Sequence, residues 1–138
     1  MHRQIVIDTH GRGMHLITEK VAAVVAESKC ADGLCMVFLR HTSASILIQE
    51  HADPLVRSDM ERFFARLVPD GDPMFEHDDE GPDDMPAHVR AALTQVSLAI
   101  PVVGSCLVLG SWQGIFLYEH RKAPHRRELT VGIYPSVP

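Results

Sequence analysis

The hydrophobic positions change period several times along the chain, and each change marks an element. Arg3 to Thr9 reads as a strand. From Thr18 to Cys30, Val21, Val24, Val25 and Ser28 fall at helical spacing, and Gly33 supplies the stop. Leu34 to Leu39 and Ser45 to Ile48 are continuous apolar runs, which predicts two buried strands flanking the polar turn His41-Thr42-Ser43. Asp53-Pro54 pairs an N-cap acceptor with a proline at the first helical position. The helix it opens carries Leu55, Val56, Met60, Phe63, Phe64 and Leu67 on an apolar face and ends before Pro69. Asp84-Met85-Pro86 starts a third helix, with Val89, Ala92, Leu93 and Val96 inward and His88 near its first turn. Beyond it, Ser97 to Val103, Ser105 to Leu109, Gln113 to Glu119 and Glu128 to Tyr134 read as four successive strands with short connections. The pattern predicts an α+β fold, a mainly antiparallel sheet with two to three helices on one face. Several strands are more apolar than a solvated sheet face permits, so a partner subunit is expected to cover the other face.

Composition adjusts this picture little. The 138 residues, 46% of them apolar and 22% charged, fit a single domain spanning 1–138. Cys30, Cys35 and Cys106 are odd in number and form no Cys-x-x-Cys pair, which suits free buried thiols in a reducing compartment. The first residues read as a strand rather than a signal core, and no run approaches a membrane span, so the expected location is cytoplasmic with no membrane partner. A net charge of −5 with no long basic tract argues against nucleic-acid binding. The charge is unevenly placed, with Asp70 to Asp84 acidic and Arg121 to Arg127 basic.

Candidate chemistry sits where polar residues interrupt apolar surroundings. His41 closes one buried strand and opens a Thr-Ser pair, a position from which an imidazole acts as acid, base or metal ligand. His77 and His88 flank Asp78, Asp79, Glu80, Asp83 and Asp84, a mixture suited to a divalent ion, although the spacing matches no compact zinc pattern. Glu119 ends the apolar run Ile115-Phe116-Leu117-Tyr118 and needs a partner: a cation, an arginine such as Arg121 or Arg127, or a substrate donor. Trp112-Gln113 stands between two apolar strands, where burial alone would not select either residue. Read together, these short polar elements are expected to converge on one site.

His41-Thr42-Ser43-Ala44-Ser45, Glu50 with Ala52-Asp53-Pro54, His77 with Glu80-Gly81, Pro86-Ala87-His88, and Leu109-Gly110 with Trp112-Gln113-Gly114 together resemble the YjbQ family, also called secondary thiamine-phosphate synthases. The match runs from about Gln4 to Tyr134, with His51, Ser111 and Asp78 standing where the family pattern usually has Asn, Thr and Asn. The resemblance implies a homotrimer with a polar pocket near the subunit boundary. It also implies a low-level activity that joins a pyrimidine diphosphate to a thiazole phosphate and releases pyrophosphate. On this reading His41, His88 and Glu119 are catalytic, and Thr42, Ser43, Glu50, Trp112, Gln113, Arg121 and Arg127 contact a small phosphorylated substrate. His41, His77, His88 and Asp84 would hold a divalent metal, zinc or magnesium. Two alternatives use the same pocket: a metal-dependent hydrolase acting on another small substrate, and a non-catalytic trimer that binds a metal or metabolite.

Overall fold

Alternate residues of one long strand, Cys35, Val37 and Leu39, are buried, while Leu34 and Phe38 on the opposite face point outward. This period-2 pattern organises a computed structural model that describes residues 1–137. The elements are β1 (His2–Asp8), β2 (Gly13–Leu16), α1 (Thr18–Ser28), β3 (Gly33–Leu39), β4 (Ala44–Glu50), α2 (Pro54–Leu67), α3 (Asp84–Leu93), β5 (Ser97–Val103), β6 (Cys106–Leu107), β7 (Gln113–Glu119) and β8 (Arg126–Pro135). The single-domain α+β class predicted from the sequence holds, with every strand pairing antiparallel.

The strands form two sheets rather than one, with orders β1-β8-β3-β5-β6 and β2-β7-β4. Their inner faces meet in a single core that also takes Val21, Val24 and Val25 of α1. The smaller sheet is covered on its outer side too. Ile115 and Leu117 of β7 point into the core, whereas Phe116 lies under the Arg57 guanidinium and Tyr118 packs edge-on against Phe64 of α2. Burial on both faces is why β7 reads as an unbroken apolar run.

Several local expectations give way to tertiary context. The last four strands are not a meander: β5 and β6 pair, β7 crosses to the small sheet, and β8 returns between β1 and β3. The strand expected from Ser105 to Leu109 shortens to Cys106–Leu107. β2 carries no apolar alternation, because its pairing with β7 is made by the backbone. α1 stops at Ser28, where Lys29 turns to φ 56°, before Gly33 is reached.

The faces of the other two helices also differ from expectation. On α2 only Phe64 is fully buried, and Leu55, Phe63 and Leu67 are exposed. α3 buries Asp84, Ala87, Arg90 and Ala91, leaving Ala92 and Leu93 outside. Its charged residues lie inward because each has a partner: Arg90 donates to Glu61 Oε1 at 2.9 Å and to the Val68 carbonyl at 3.3 Å. Of the displaced apolar residues, Ala92 lines one recess with Phe38, which is 47% exposed.

Candidate metal and substrate site

The loop before α3 and the first turns of that helix bring together three groups the sequence placed eleven residues apart at most. His77, Asp84 and His88 each offer one ligand atom, and these atoms lie within 4.8 Å of one another. His77 Nε2 is 2.9 Å and His88 Nε2 3.2 Å from the same oxygen, Asp84 Oδ2. Asp84 and His88 are four apart on α3 and so share a face.

The hydrogen bonds around the three side chains set their chemistry. His88 Nδ1 donates to the Thr42 carbonyl at 2.8 Å, and a carbonyl only accepts, so this ring keeps a proton on Nδ1. Its Nε2 then faces a carboxylate oxygen with either a lone pair or a second proton. A lone pair and a carboxylate oxygen repel at this distance unless a cation lies between them. Ligands about 2.1 Å from a tetrahedral cation stand roughly 3.4 Å apart, somewhat wider than the 2.9 and 3.2 Å here, so a bound ion would spread the three groups slightly. The other oxygen, Asp84 Oδ1, accepts from Arg121 Nη1 at 2.8 Å. Burial alone would raise the Asp84 carboxyl, but His77, His88 and Arg121 outweigh it and keep the group ionised below the usual carboxylate range. The donor set thus fits a divalent ion, with the Thr42 carbonyl and Arg121 orienting the ligands from outside.

Arg121, expected to meet phosphate, is occupied. Besides Asp84 it donates through Nε to Asp83 Oδ2 at 3.1 Å and through Nη2 to the Glu80 carbonyl at 2.8 Å. Its role is to lock the acidic loop against the end of β7. His41 stands outside the three-ligand group: its Nε2 accepts from the Glu128 amide at 2.8 Å. Burial, assisted by the nearby Arg127 charge, lowers its pKa and keeps it neutral. His41 and His88 nevertheless line one recess of about 620 Å³, with Thr42 at its edge and Phe38, Ala92 and Val96 as apolar walls.

Glu119 and Arg127 resolve the alternatives left open by the sequence. Both are buried, at 0% and 3% exposure, and pair with each other through two contacts. Glu119 also accepts from Thr9 Oγ1 at 2.7 Å and from the Arg121 amide at 3.2 Å, while Arg127 Nη2 donates to the Ser43 carbonyl at 3.2 Å and hydroxyl at 3.0 Å. Burial would raise the Glu119 carboxyl, yet Arg127 and Thr9 hold it low. Glu119, Arg127 and Ser43 therefore form an internal clamp that fixes the His41 turn, and the expected catalytic and substrate-contact roles do not suit their inward orientation.

Glu50, Trp112 and Gln113 lie elsewhere. β4 and β7 pair with Ala44 opposite Glu119 at one end and Glu50 opposite Gln113 at the other. Six residue steps separate the ends, about 20 Å. Within one chain the polar elements do not converge. Gln113 Oε1 accepts from the Gly110 amide at 2.8 Å, closing its own turn, and Glu50 Oε2 accepts from the Asp53 amide at 3.1 Å.

The sequence pattern did not mark His120, which is fully buried beside Tyr118, with Nε2 2.8 Å from Ser45 Oγ. Burial, with help from Arg90 and Arg12, lowers its pKa from 6.5 to about 3. The folded ring is neutral, whereas the unfolded ring gains a proton as pH falls below about 6.5, so stability contributed by His120 is lost from there down toward its folded pKa. His41, also lowered, acts in the same direction. Denaturant melts between pH 7 and 4.5 should show this loss, at up to about 1.4 kcal/mol per pH unit for His120, and His120→Asn should flatten the dependence. A wild-type profile level across that range would contradict the assignment.

Two packed antiparallel sheets, three helices and a two-imidazole, one-carboxylate cluster define a small α+β protein class with a candidate divalent-metal site. A family model described as UPF0047 protein YjbQ-like matches residues 3–136. The chain belongs to this YjbQ/UPF0047 family. It is 53% identical to UPF0047 protein sll1880 of Synechocystis sp., covering 99% of this chain and 93% of that protein. It is 43% identical to UPF0047 protein YjbQ of Escherichia coli O157:H7, covering 86% of each. Among solved structures, an uncharacterised conserved YjbQ/UPF0047 protein of Clostridium acetobutylicum superposes with a TM-score of 0.88 at 33% identity, covering 96% of this chain and 99% of that one. The hypothetical protein APE1520 of Aeropyrum pernix K1 gives 0.89 at 26% identity, covering 99% of each. Among the described residues no helix is long and apolar enough to cross a membrane.

Proposed function

We propose that this protein is a metal-assisted enzyme acting on a small phosphorylated substrate at the face shared by His88 and His41. The observation that carries the reading is the convergence of His77, Asp84 and His88 on one point beside an apolar recess. When bound, a divalent ion such as zinc or magnesium supplies charge to a phosphate or pyrophosphate group. The chain's own residues do the rest. The Thr42 carbonyl holds the His88 ring, Arg121 holds Asp84, and the buried Glu119–Arg127 pair holds the His41 turn. His41, neutral, with Nε2 taken by the Glu128 amide and its proton therefore on Nδ1, is placed to donate a hydrogen bond to substrate at the recess.

The family resemblance gives this chemistry a specific form, low-level thiamine-phosphate synthesis. In that reaction the carbon–oxygen bond between a pyrimidine methylene and its diphosphate breaks, a bond from the same carbon to the thiazole nitrogen forms, and pyrophosphate leaves. The apolar walls Phe38, Ala92 and Val96 suit the heteroaromatic ring. A hydrolase is the second reading, favoured because three protein ligands leave a coordination position for water. We place the enzyme in the cytoplasm, in keeping with three free thiols, of which Cys30 and Cys35 are buried as expected and Cys106, in the short strand β6, is exposed instead. Its assembly would be a homotrimer, supported by the exposed Leu34, Phe38, Val103 and Tyr134 on the outer face of the larger sheet.

Turnover measurements on phosphorylated and pyrophosphorylated heterocycles, with metal added, test the reading. Wild type should release phosphate or pyrophosphate, and His41→Ala and His88→Ala should not while remaining folded. Equal turnover by these variants would overturn it.

A further inference from the structure

Arg121 and Arg127 are consumed by the fold. Arg121 donates to Asp83, Asp84 and the Glu80 carbonyl, and Arg127 to Glu119 and Ser43. Arg40, close by, is not engaged in this way. Its nearest carboxylate, Glu128, lies 3.9 Å from Nη1, beyond hydrogen-bond reach, and the side chain is half-exposed. The backbone sets its direction: the Arg40 amide donates to the Glu128 carbonyl at 3.2 Å and continues the β3–β8 pairing one residue past Leu39. Period 2 then puts Arg40 on the face of Phe38, and both line the recess of about 620 Å³ that His41 and His88 also border.

The lining of this recess suits an anion on an apolar body. Among the described residues no carboxylate lines it, and Phe38, Ala92 and Val96 form its walls. Its volume falls within the ~300–1,000 Å³ typical of small-molecule sites. Beside Arg40, His41 adds a neutral donor: its Nε2 accepts from the Glu128 amide at 2.8 Å, so the ring proton sits on Nδ1. A second recess, of about 450 Å³, borders His77 instead of His88 and differs in charge. Asp72 and Asp78 line it together with Pro73, Phe75 and Met85, so it repels the anion that the first recess attracts. In a chain of net charge −5, a recess free of carboxylates and holding an arginine is a local exception.

We propose that Arg40 is the anion anchor of this recess: its guanidinium, with the His41 Nδ1–H, holds the phosphate monoester of a small ring-bearing ligand whose apolar body lies against Phe38, Ala92 and Val96. A guanidinium presents paired N–H donors that match two phosphate oxygens, so it fixes the orientation of the group as well as balancing its charge. This phosphate is distinct from the group that a metal at His77, Asp84 and His88 would hold. With the metal in place the site takes two phosphate groups at once, one on the His88 side and one at Arg40. That consequence rests on the proposed metal-assisted reading, whereas the Arg40 subsite itself does not.

Phenyl phosphate, a ring bearing one phosphate monoester, is the probe, and titration calorimetry in the presence of a chelator reads its binding without metal. Wild type should bind it, and should bind phenol, which lacks the phosphate, at least about tenfold more weakly. Arg40→Gln should weaken phenyl phosphate about 10- to 100-fold with an unchanged circular dichroism spectrum. Arg40→Lys, which keeps the charge but not the paired donors, should fall between the two. Arg62→Gln, which removes an exposed arginine outside the recess, should bind as wild type does. So should Asp84→Asn, because Asp84 does not line the recess. A wild type that binds no phenyl phosphate, an Arg40→Gln variant of wild-type affinity, or binding that Asp84→Asn abolishes would overturn the proposal. Zinc titrations of the same samples keep the two ideas apart. Zinc binding with phosphate binding indifferent to Arg40 would strike the subsite and leave the metal, and the reverse would strike the metal and leave the subsite.

Discussion

Arg127→Met is expected to lose about 3–5 kcal/mol of folding stability, the largest effect of any single substitution considered for this protein. The cause is the charge left behind. Glu119 has no exposed surface, and Arg127 supplies both of its guanidinium contacts, so methionine strands an ionised carboxylate in the core. The same guanidinium also holds Ser43, so the His41 turn loosens as well. With a urea m-value of about 1–3 kcal/mol/M, the unfolding midpoint should fall by more than about 1 M. Removing both charges, in Arg127→Met with Glu119→Leu, should restore much of the loss. If Arg127→Met unfolded within about 1 kcal/mol of wild type and yet lost turnover, Arg127 would return to the role of substrate contact.

Asp84→Asn should weaken metal binding by more than about 100-fold, since loss of outer-shell partners alone costs 10–100-fold and Asp84 is a direct ligand candidate. The asparagine keeps the shape of the side chain but offers a neutral oxygen or an N–H to the two imidazoles. It also weakens the anchor for Arg121, so turnover should fall along with affinity. Titration calorimetry with zinc and a turnover assay check both effects. An Asp84→Asn variant with wild-type affinity would remove the carboxylate from the ligand set.

Much of the fold was legible because burial follows the period of each element. The continuous apolar run from Leu34 to Leu39 and the proline after the Asp53 cap placed a strand and a helix within a residue or two of their observed bounds. Strand order was not legible, because β7 reads the same whether it joins the larger sheet or crosses to the smaller one. The faces of α3 were misread for a related reason. Sequence pattern counts a charged residue as outward, yet Asp84 and Arg90 turn inward to partners supplied by distant segments. At the site, the histidines and carboxylates near His88 stood out as a polar cluster, and local helix spacing put Asp84 and His88 on one face. Glu119 and Arg127 were equally visible as candidates, but only the tertiary structure shows that they satisfy each other. The convergence of Trp112 with His41 was inferred from their shared polarity, and the pairing of β4 with β7 separates them within a chain.

Elemental analysis of the purified, tag-free protein, with and without His88→Ala, tests the central claim most directly, provided light scattering shows the two proteins to have the same mass. The account predicts close to one divalent metal per chain in the wild type and its loss from the variant. A wild type that stays metal-free after incubation with zinc, manganese and magnesium, or a His88→Ala protein that keeps its metal, would contradict it.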